Sequence, residues 1–461
     1  MGLSNSHILE YEAARKSFSE YDRKKLDEVF NKMSSDNGRH VKVIEKEPFQ
    51  SYTSWLLPEQ VSKRFFKEMC GIQSSLEQDV KEFEVGKEAF FITLCHFFKK
   101  GKEDKAKVFH LVASDSNSVT SPEVATLCRF LLNAYVTALK STQIGKQWKV
   151  DCSKEAEERF VLMVIKTLLD DKKEPCLVSV GDLVSWFTRF PLVEHMFVAV
   201  VKACFIDLEG IVQKHPHGLN EGCEETIKHV HYERSHILIP CKLEVNFDET
   251  ATLLDIPTLL TLNHVLPPDL RHRWRLLFST KIHGESFHSL LHQITHQGPT
   301  IVIVKDSGGH IFGGFASKSW TIKSQFNGDS RCFLFSLQPS LAIYHPTGYN
   351  ENFMYLNNGM QTLPNGLGMG GQLDYFGLWL DENFGRGHCK GQPCSTYGNQ
   401  QLSSSEVFHV DELEVWGLGV PPESQLWQRS VLDTEVEAKA FLEVTGKELH
   451  SAGFRDPEPS E

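Results

Sequence analysis

The stretch Gly298 to Trp320, GPTIVIVKDSGGHIFGGFASKSW, constrains the fold more than any other part of this 461-residue chain. Pro299 to Val304 is an apolar, mostly β-branched run of the kind that suits a pleated surface. Asp306-Ser307-Gly308-Gly309 supplies residues that tolerate positive φ, as a hairpin return requires. Ile311 to Ala316 starts the returning strand, and Gly313-Gly314 removes side chains from its middle. Paired glycines weaken a strand, so they mark a bulge or a close backbone approach. Two buried strands and a tight turn are expected, with either another part of the chain or a partner approaching the glycines.

The length exceeds one ordinary core and predicts two or three domains. Hydrophobic residues at 41% and charged residues at 23% are typical of a globular protein. A formal net charge of -12 argues against a nucleic-acid partner held by phosphate contacts. The 11 cysteines form no repeat and are odd in number, so a disulfide framework is not expected and a reducing compartment fits better. No apolar run is long enough to span a bilayer. The nearest, Leu192 to Leu208, is interrupted by Glu194, His195 and Lys202 and predicts a helix with one buried face. A signal peptide is not expected, because the first residues lack an apolar core.

Met1-Gly2-Leu3-Ser4-Asn5-Ser6 matches the pattern for N-myristoylation, with Gly2 as the acceptor. The alternative is an unmodified, frayed terminus. One myristoyl chain holds a membrane only marginally. Arg15, Lys16, Arg23, Lys24 and Lys25 are diluted by Glu10, Glu12, Glu20 and Asp22. A protein partner already on the membrane is therefore the expected second attachment.

The chain divides into a myristoylated segment (1–20), a helical domain (21–210), a linker (211–242), a strand-rich domain (243–419) and a tail (420–461). In the helical domain, Leu26, Val29, Phe30 and Met33 share a face, as do Val61, Phe65, Phe66 and Met69. Ser121-Pro122-Glu123 reads as a helix start. Two stretches resemble worn EF-hand loops. In the frame from Asp171 to Asp182, Val178 takes the apolar eighth position, but Lys173, Pro175 and Cys176 stand where ligands and a glycine are needed. The frame from Asp36 to Glu47 has Gly38 and Val41 in ligand and glycine positions, and Asp115 to Glu123 is shorter. The expectation is helix pairs that keep the packing without the metal. Near the linker, His215, His217, Cys223, His229, His231, His236 and Cys241 fit no common zinc spacing.

From about Glu244, short strand-like runs alternate with turn clusters, the pattern of an all-β sandwich. Gly366 to Gly371 is read as a glycine-rich turn, and Trp320, Trp379 and Trp416 are expected to fill the space between the sheets. Chemistry is hard to place on this half. Gly308 to Gly314 and Gly366 to Gly371 lack the ending and the following helix of a phosphate loop. Gly284 to His288 falls one residue short of a nucleophile elbow. His388, Cys389 and Cys394 read as a surface loop rather than a thiol or metal site. Asp374, Asp381, Glu382, Asp411, Glu412 and Glu414 stand near strand ends, where a pair would be needed for acid–base work. No cofactor, metal site or catalytic residue is expected.

The series WRLLFS (274–279), GESF (284–287), GPTIVIVKD (298–306), FGGFAS (312–317), NFMYLN (352–357), FGLWLD (376–381), STYGN (395–399) and VDELEVWGL (410–418) resembles the TLDc domain in order and spacing. With the lipidation pattern and the EF-hand-like half, the chain is similar to the lysosome-located, MTOR-associated branch of that family. The resemblance implies a β-sandwich of two sheets with a few helices, so the chain as a whole is expected to be an α+β multidomain protein: an all-α EF-hand-like domain, then the TLDc β-sandwich, then a C-terminal amphipathic helix. It also implies association with the vacuolar proton-pumping ATPase, resistance to oxidative damage, and support of MTOR signalling at the cytoplasmic face of the lysosomal membrane and in the cytoplasm. It supplies no catalytic residues; Gly313, Gly314, Gly370 and Gly371 match the family motif and are candidate places for partner approach. In the tail, Thr434 and Glu437 form a capping box, and Val436, Ala440 and Val444 recur at four-residue steps beside Phe441. This predicts an amphipathic helix over 434–445 that packs on the sandwich or docks on a partner.

The leading expectation is a non-enzymatic membrane-associated regulator or scaffold. The alternatives are a thiol-based peroxide enzyme using Cys389 or Cys394, and a calcium-responsive adaptor.

Overall fold

The computed structural model describes residues 2–36, 42–76, 84–116, 118–169, 175–208, 236–243, 252–373 and 375–422, with side chains from residue 8 onward. The expected tail helix and most of the linker lie outside the described residues, as do parts of both EF-hand-like loops.

The first half is built from α1 (Gly2–Ser17), α2 (Glu20–Met33), β1 (Ser34–Asp36), β2 (Lys42–Glu45), α3 (Lys46–Thr53), α4 (Glu59–Leu76), β3 (Glu84–Gly86) and α5 (Lys87–Lys99). There follow α6 (Lys102–Ala113), β4 (Val119–Thr120), α7 (Ser121–Lys140), α8 (Gln143–Gln147), α9 (Lys154–Leu169), β5 (Leu177–Val178), α10 (Val180–Arg189) and α11 (Leu192–Phe205). Each short ribbon joins the loops of two helix pairs. Ile44 faces Val85 in one and Val119 faces Val178 in the other. Val178 is therefore in the position expected of it, buried at 4% exposure.

Phenylalanine fills this half. Phe65, Phe90 and Phe49 gather around Phe205 at 6.0 to 6.1 Å between ring centroids, and Phe97 and Phe109 meet Phe197 at 4.9 and 5.4 Å. Phe197 and Phe205 belong to α11. The expectation of one buried face there is corrected: the helix is buried along nearly its whole length and around its circumference, Glu194 and Lys202 included. It is the central helix of the domain, which explains its apolar run. No single helix among the described residues is long and apolar enough to cross a membrane.

The second half contains β6 (Cys241–Leu243), α12 (Ile256–Val265), β7 (Arg273–Ser279), α13 (Thr280–His283), α14 (Phe287–Ile294), β8 (Thr300–Asp306), β9 (Ile311–Ala316) and β10 (Lys323–Asn327). Then come β11 (Phe333–Gln338), β12 (Ala342–Tyr344), β13 (Met354–Asn357), β14 (Gly366–Gln372), β15 (Tyr375–Asp381), β16 (Arg386–His388) and β17 (Val407–Leu418). Strand β17 is long enough to serve two sheets. Its start pairs with β16, which continues through β15, β14 and β13 to β10, and its remainder lies between β7 and β8, with β9, β11 and β12 beyond.

Alternate residues of the second sheet belong to different cores. Val302, Val304, Phe312 and Leu334 meet Met354, Leu367, Met369 and Leu378 between the sheets. Ile301, Ile303, Phe315, Phe333 and Phe335 join a core continuous with the helical half and α12. Both faces of β8 and β9 are thus covered, so these strands read as unbroken apolar runs rather than an alternation.

Gly366 to Gly371 is not a turn, as expected from its glycines, but strand β14, paired on both sides. A Cβ on Gly366 would strike the Trp379 ring, and one on Gly368 would lie 2.6 Å from Phe376. The glycines make room for rings of the neighbouring strand. Trp416 also departs from its expected place: it lies on the outer face, toward the helical half. Trp379 lies outside the core between the sheets, stacked on Phe376 at 4.4 Å. Trp320 does fill the core between the sheets.

Candidate functional site

The paired glycines mark places where the chain approaches itself. All four are buried. A Cβ on Gly313 would collide with the carbonyl of Val302 and the ring of Phe335, and one on Gly314 with Met369 from the opposite sheet. Gly370 and Gly371 have φ of 73° and 82°, a region that favours glycine. A Cβ on Gly370 would lie 2.6 Å from Tyr397, and one on Gly371 would strike the carbonyl of Tyr375. As candidate partner surfaces these glycines are corrected: close packing inside the sandwich uses them up.

The thiols are interior groups, not members of a surface loop. Cys389 is 0% and Cys394 2% exposed. Burial pushes the Cys389 thiol up to about 12 and raises Cys394 as well. Both are held as thiols at neutral pH, whereas attack on a peroxide needs a thiolate. Of the acidic positions, Asp411, Glu412 and Glu414 are likewise engaged, and Asp374 lies outside the described residues. Lys305 holds Asp411 at 2.6 Å and Glu412 at 3.3 Å, and Lys281 holds Glu412 at 2.7 Å. Glu414, 3% exposed, accepts hydrogen bonds from the Thr252 hydroxyl (2.7 Å), the Leu253 N–H (3.1 Å) and the Trp416 indole (3.0 Å). Ser286, at the near-elbow, caps α14 by accepting from the Ser289 N–H.

Asp115, Glu123 and Asp182 of the EF-hand-like loops perform structural tasks. Arg64 binds Asp115 through two bonds of 2.8 Å. Glu123 accepts from the Ser114 hydroxyl and from the Thr120 N–H, and these bonds lower its pKa. Asp182 closes a capping box with Ser179 at the start of α10. Cys241 donates to Gln147 at 3.6 Å. No group of three His, Cys, Asp or Glu side chains among the described residues is placed to hold a metal ion.

At the amino end, α1 lies against α5. Tyr11 meets Phe91 edge-on at 5.9 Å, Phe18 meets Phe91 and Phe98 at 6.3 Å, and Arg15 binds Asp27 at 2.6 Å. Gly2 begins this helix, while Ile8 and Leu9 are exposed at 49% and 66%.

The most organised feature that sequence reading missed is the seam between the two halves. The Trp148 indole donates to the Pro240 carbonyl at 2.7 Å and packs against Trp416 at 5.3 Å and Trp274 at 6.2 Å. The Lys242 ammonium lies 5.3 Å from the Trp148 ring and 5.4 Å from the Trp416 ring. Cations are attracted to aromatic faces at this range. Nearby, Arg159 binds Asp255 at 2.6 Å, and the Leu238 N–H donates to the Tyr135 hydroxyl at 2.6 Å. Residues 236–243 are thus threaded between the halves. Their short apolar run, Ile237-Leu238-Ile239, was the one available signal. A further cleft, of about 270 Å³, lies within the helical half and is lined by Tyr21, Trp55, Ser141, Thr142 and Asp207.

The family model of the TLDc domain matches residues 247–419. Over the whole chain there is similarity to the "MTOR-associated protein MEAK7" of Gallus gallus, at 36% identity across 99% of this chain and 98% of that one. The protein of the same name from Homo sapiens is 33% identical, across 94% of this chain and 95% of its own. The "Oxidation resistance protein 1" of Bos taurus is 31% identical over 173 residues, which is 37% of this chain and 19% of that protein.

Proposed function

Because the chain belongs to the family of MTOR-associated MEAK7 proteins with a TLDc domain, we propose that it is a non-catalytic regulator that supports MTOR signalling by binding other proteins at the lysosomal membrane. The observation that carries this reading is the extent of the similarity, which runs through both halves. The two halves share one continuous core.

In this reading a myristoyl group on Gly2 brings the protein to the cytoplasmic face of the membrane. The TLDc sandwich and the tail around Val436, Ala440, Phe441 and Val444 then hold the vacuolar proton-pumping ATPase. A single acyl chain is a marginal anchor, so lipid and partner act together. Engaged carboxylates and buried thiols support binding over catalysis.

The test is a pull-down from detergent-solubilised lysosomal membranes with the full chain and with a chain ending at Pro422. Recovery of the pump by the full chain, lost or weakened on truncation, supports the reading. Recovery by neither form refutes the partner. Separately, Gly2→Ala is expected to move the protein from membranes to cytosol, and unchanged membrane recovery would count against the lipid.

A further inference from the structure

A cluster of basic groups collects where α6, α10, α11 and α12 meet. Lys102 on α6 donates to the Phe187 carbonyl in α10 at 3.3 Å, and Lys105 binds Glu194 of α11 at 2.8 Å. His195, the next residue, lies 5.6 Å ring to ring from His264 of α12, which also meets Phe190 at 5.8 Å. Arg271 follows α12, with its Nε bound to the Leu266 carbonyl at 2.7 Å. His236, where the chain re-enters the described structure, is in the same neighbourhood, with Lys202, Lys99, Lys105 and His195 within electrostatic reach.

The charge balance is uneven. The ammonium groups that act on His236 are those of Lys202, Lys99 and Lys105. Those on His195 are one carboxylate, Glu194, against Lys105, Arg271 and Lys102. Glu194 is 3% exposed and has one oxygen on Lys105. Like charges gathered in a chain of net charge -12 repel one another unless something anionic lies among them. The groups remain open to solvent: His195 is exposed, and Lys102, Lys105, His264 and Arg271 are half-buried.

We infer that this cluster is a binding site for a phosphate-bearing polyanion, held by Lys102, Lys105, His195, His264 and Arg271 across the seam between the helical half and the TLDc half. Ammonium and guanidinium groups bind phosphate oxygens through charge-assisted hydrogen bonds, and a neutral imidazole adds one N–H donor. Because α6 and α11 belong to one half and α12 and Arg271 to the other, an occupant bridges them. It therefore stabilises the docked arrangement by binding that state alone.

The test uses the full chain. Calorimetric titration is made with inorganic phosphate and with inositol hexakisphosphate. Flotation is made with phosphatidylcholine vesicles, with and without phosphatidylinositol bisphosphate. Inositol hexakisphosphate is expected to bind, to raise the unfolding temperature and to bind more weakly as salt is added. The double variant Lys102→Ala, His195→Ala is expected to lose roughly tenfold or more in affinity, while Lys102→Arg retains it. Soluble binding without flotation identifies a free phosphate compound; flotation that needs the phosphoinositide and is competed by inositol hexakisphosphate identifies a lipid headgroup. Should the double variant not fold, Lys102→Glu alone must weaken binding by a similar factor. Absence of binding to both probes, or equal binding by a folded variant, overturns the site.

Discussion

Trp148→Ala tests whether the seam makes one folding unit of the two halves. Trp148 is 7% exposed, with Trp416 and Trp274 against its ring, Lys242 over it, and its N–H on Pro240. Truncating a buried Trp to Ala costs about 3–5 kcal/mol in lost burial and cavity formation. The orphaned Pro240 carbonyl adds about 1 kcal/mol, and the lost cation–aromatic contact about 0.5–1 kcal/mol. The total, about 4.5–7 kcal/mol, falls on the contact between the halves rather than on either core alone. The expected result in scanning calorimetry is division of a single transition into two, with faster proteolysis between the halves. Trp148→Phe keeps most of the ring packing and should cost only about 1–2 kcal/mol. A Trp148→Ala protein that still unfolds in one transition, destabilised by less than about 1 kcal/mol, would refute the reasoning.

Gly371→Ala is expected to destabilise by at least about 2 kcal/mol, since φ is positive and the Tyr375 carbonyl occupies the Cβ position; denaturant midpoints check this, and a neutral effect would sink the packing account. Cys389 and Cys394 should resist iodoacetamide at neutral pH in the native protein and react on unfolding, as mass spectrometry would show; rapid native labelling would reopen the thiol reading. Val178→Asp buries a carboxylate in the β4–β5 ribbon and should cost about 3 kcal/mol or more, read by circular dichroism during urea unfolding. Burial, with added repulsion from neighbouring charges, pushes His236 and His264 down to about 3, so both stay neutral in the fold while the unfolded chain takes up protons. Their contribution is complete above about pH 6.5 and falls as pH drops below it, on the order of 1 kcal/mol per pH unit for each histidine. His264→Phe should flatten that fall, and an unchanged pH profile would contradict it.

Much of the strand order was legible because each strand carries its own apolar run and turn. Val178 and the acids around it identified a helix pair whose metal ligands are missing, since the ribbon needs only apolar residues at fixed places. Strand β14 was misread because its glycines, taken one at a time, favour turns; their use is to admit Trp379 and Phe376 from the next strand, a contact that no local pattern encodes. Cys389 and Cys394 were placed on the surface for a similar reason, as glycine-rich surroundings do not reveal what packs over them. Helix α12 and the strand β10 gave too little periodicity to be separated from their flanks.

By itself the sequence determined the division into a helical and a strand-rich half, the covered faces of β8 and β9, and the family, because hydrophobic period and motif order are properties of the chain read locally. Only the tertiary structure decided that Trp416 faces Trp148 instead of the opposite sheet, that Gly314 accommodates Met369, and that basic groups from α6, α11 and α12 come together. These depend on which distant surfaces bury each other, and burial against a remote segment leaves no mark on the spacing of nearby residues.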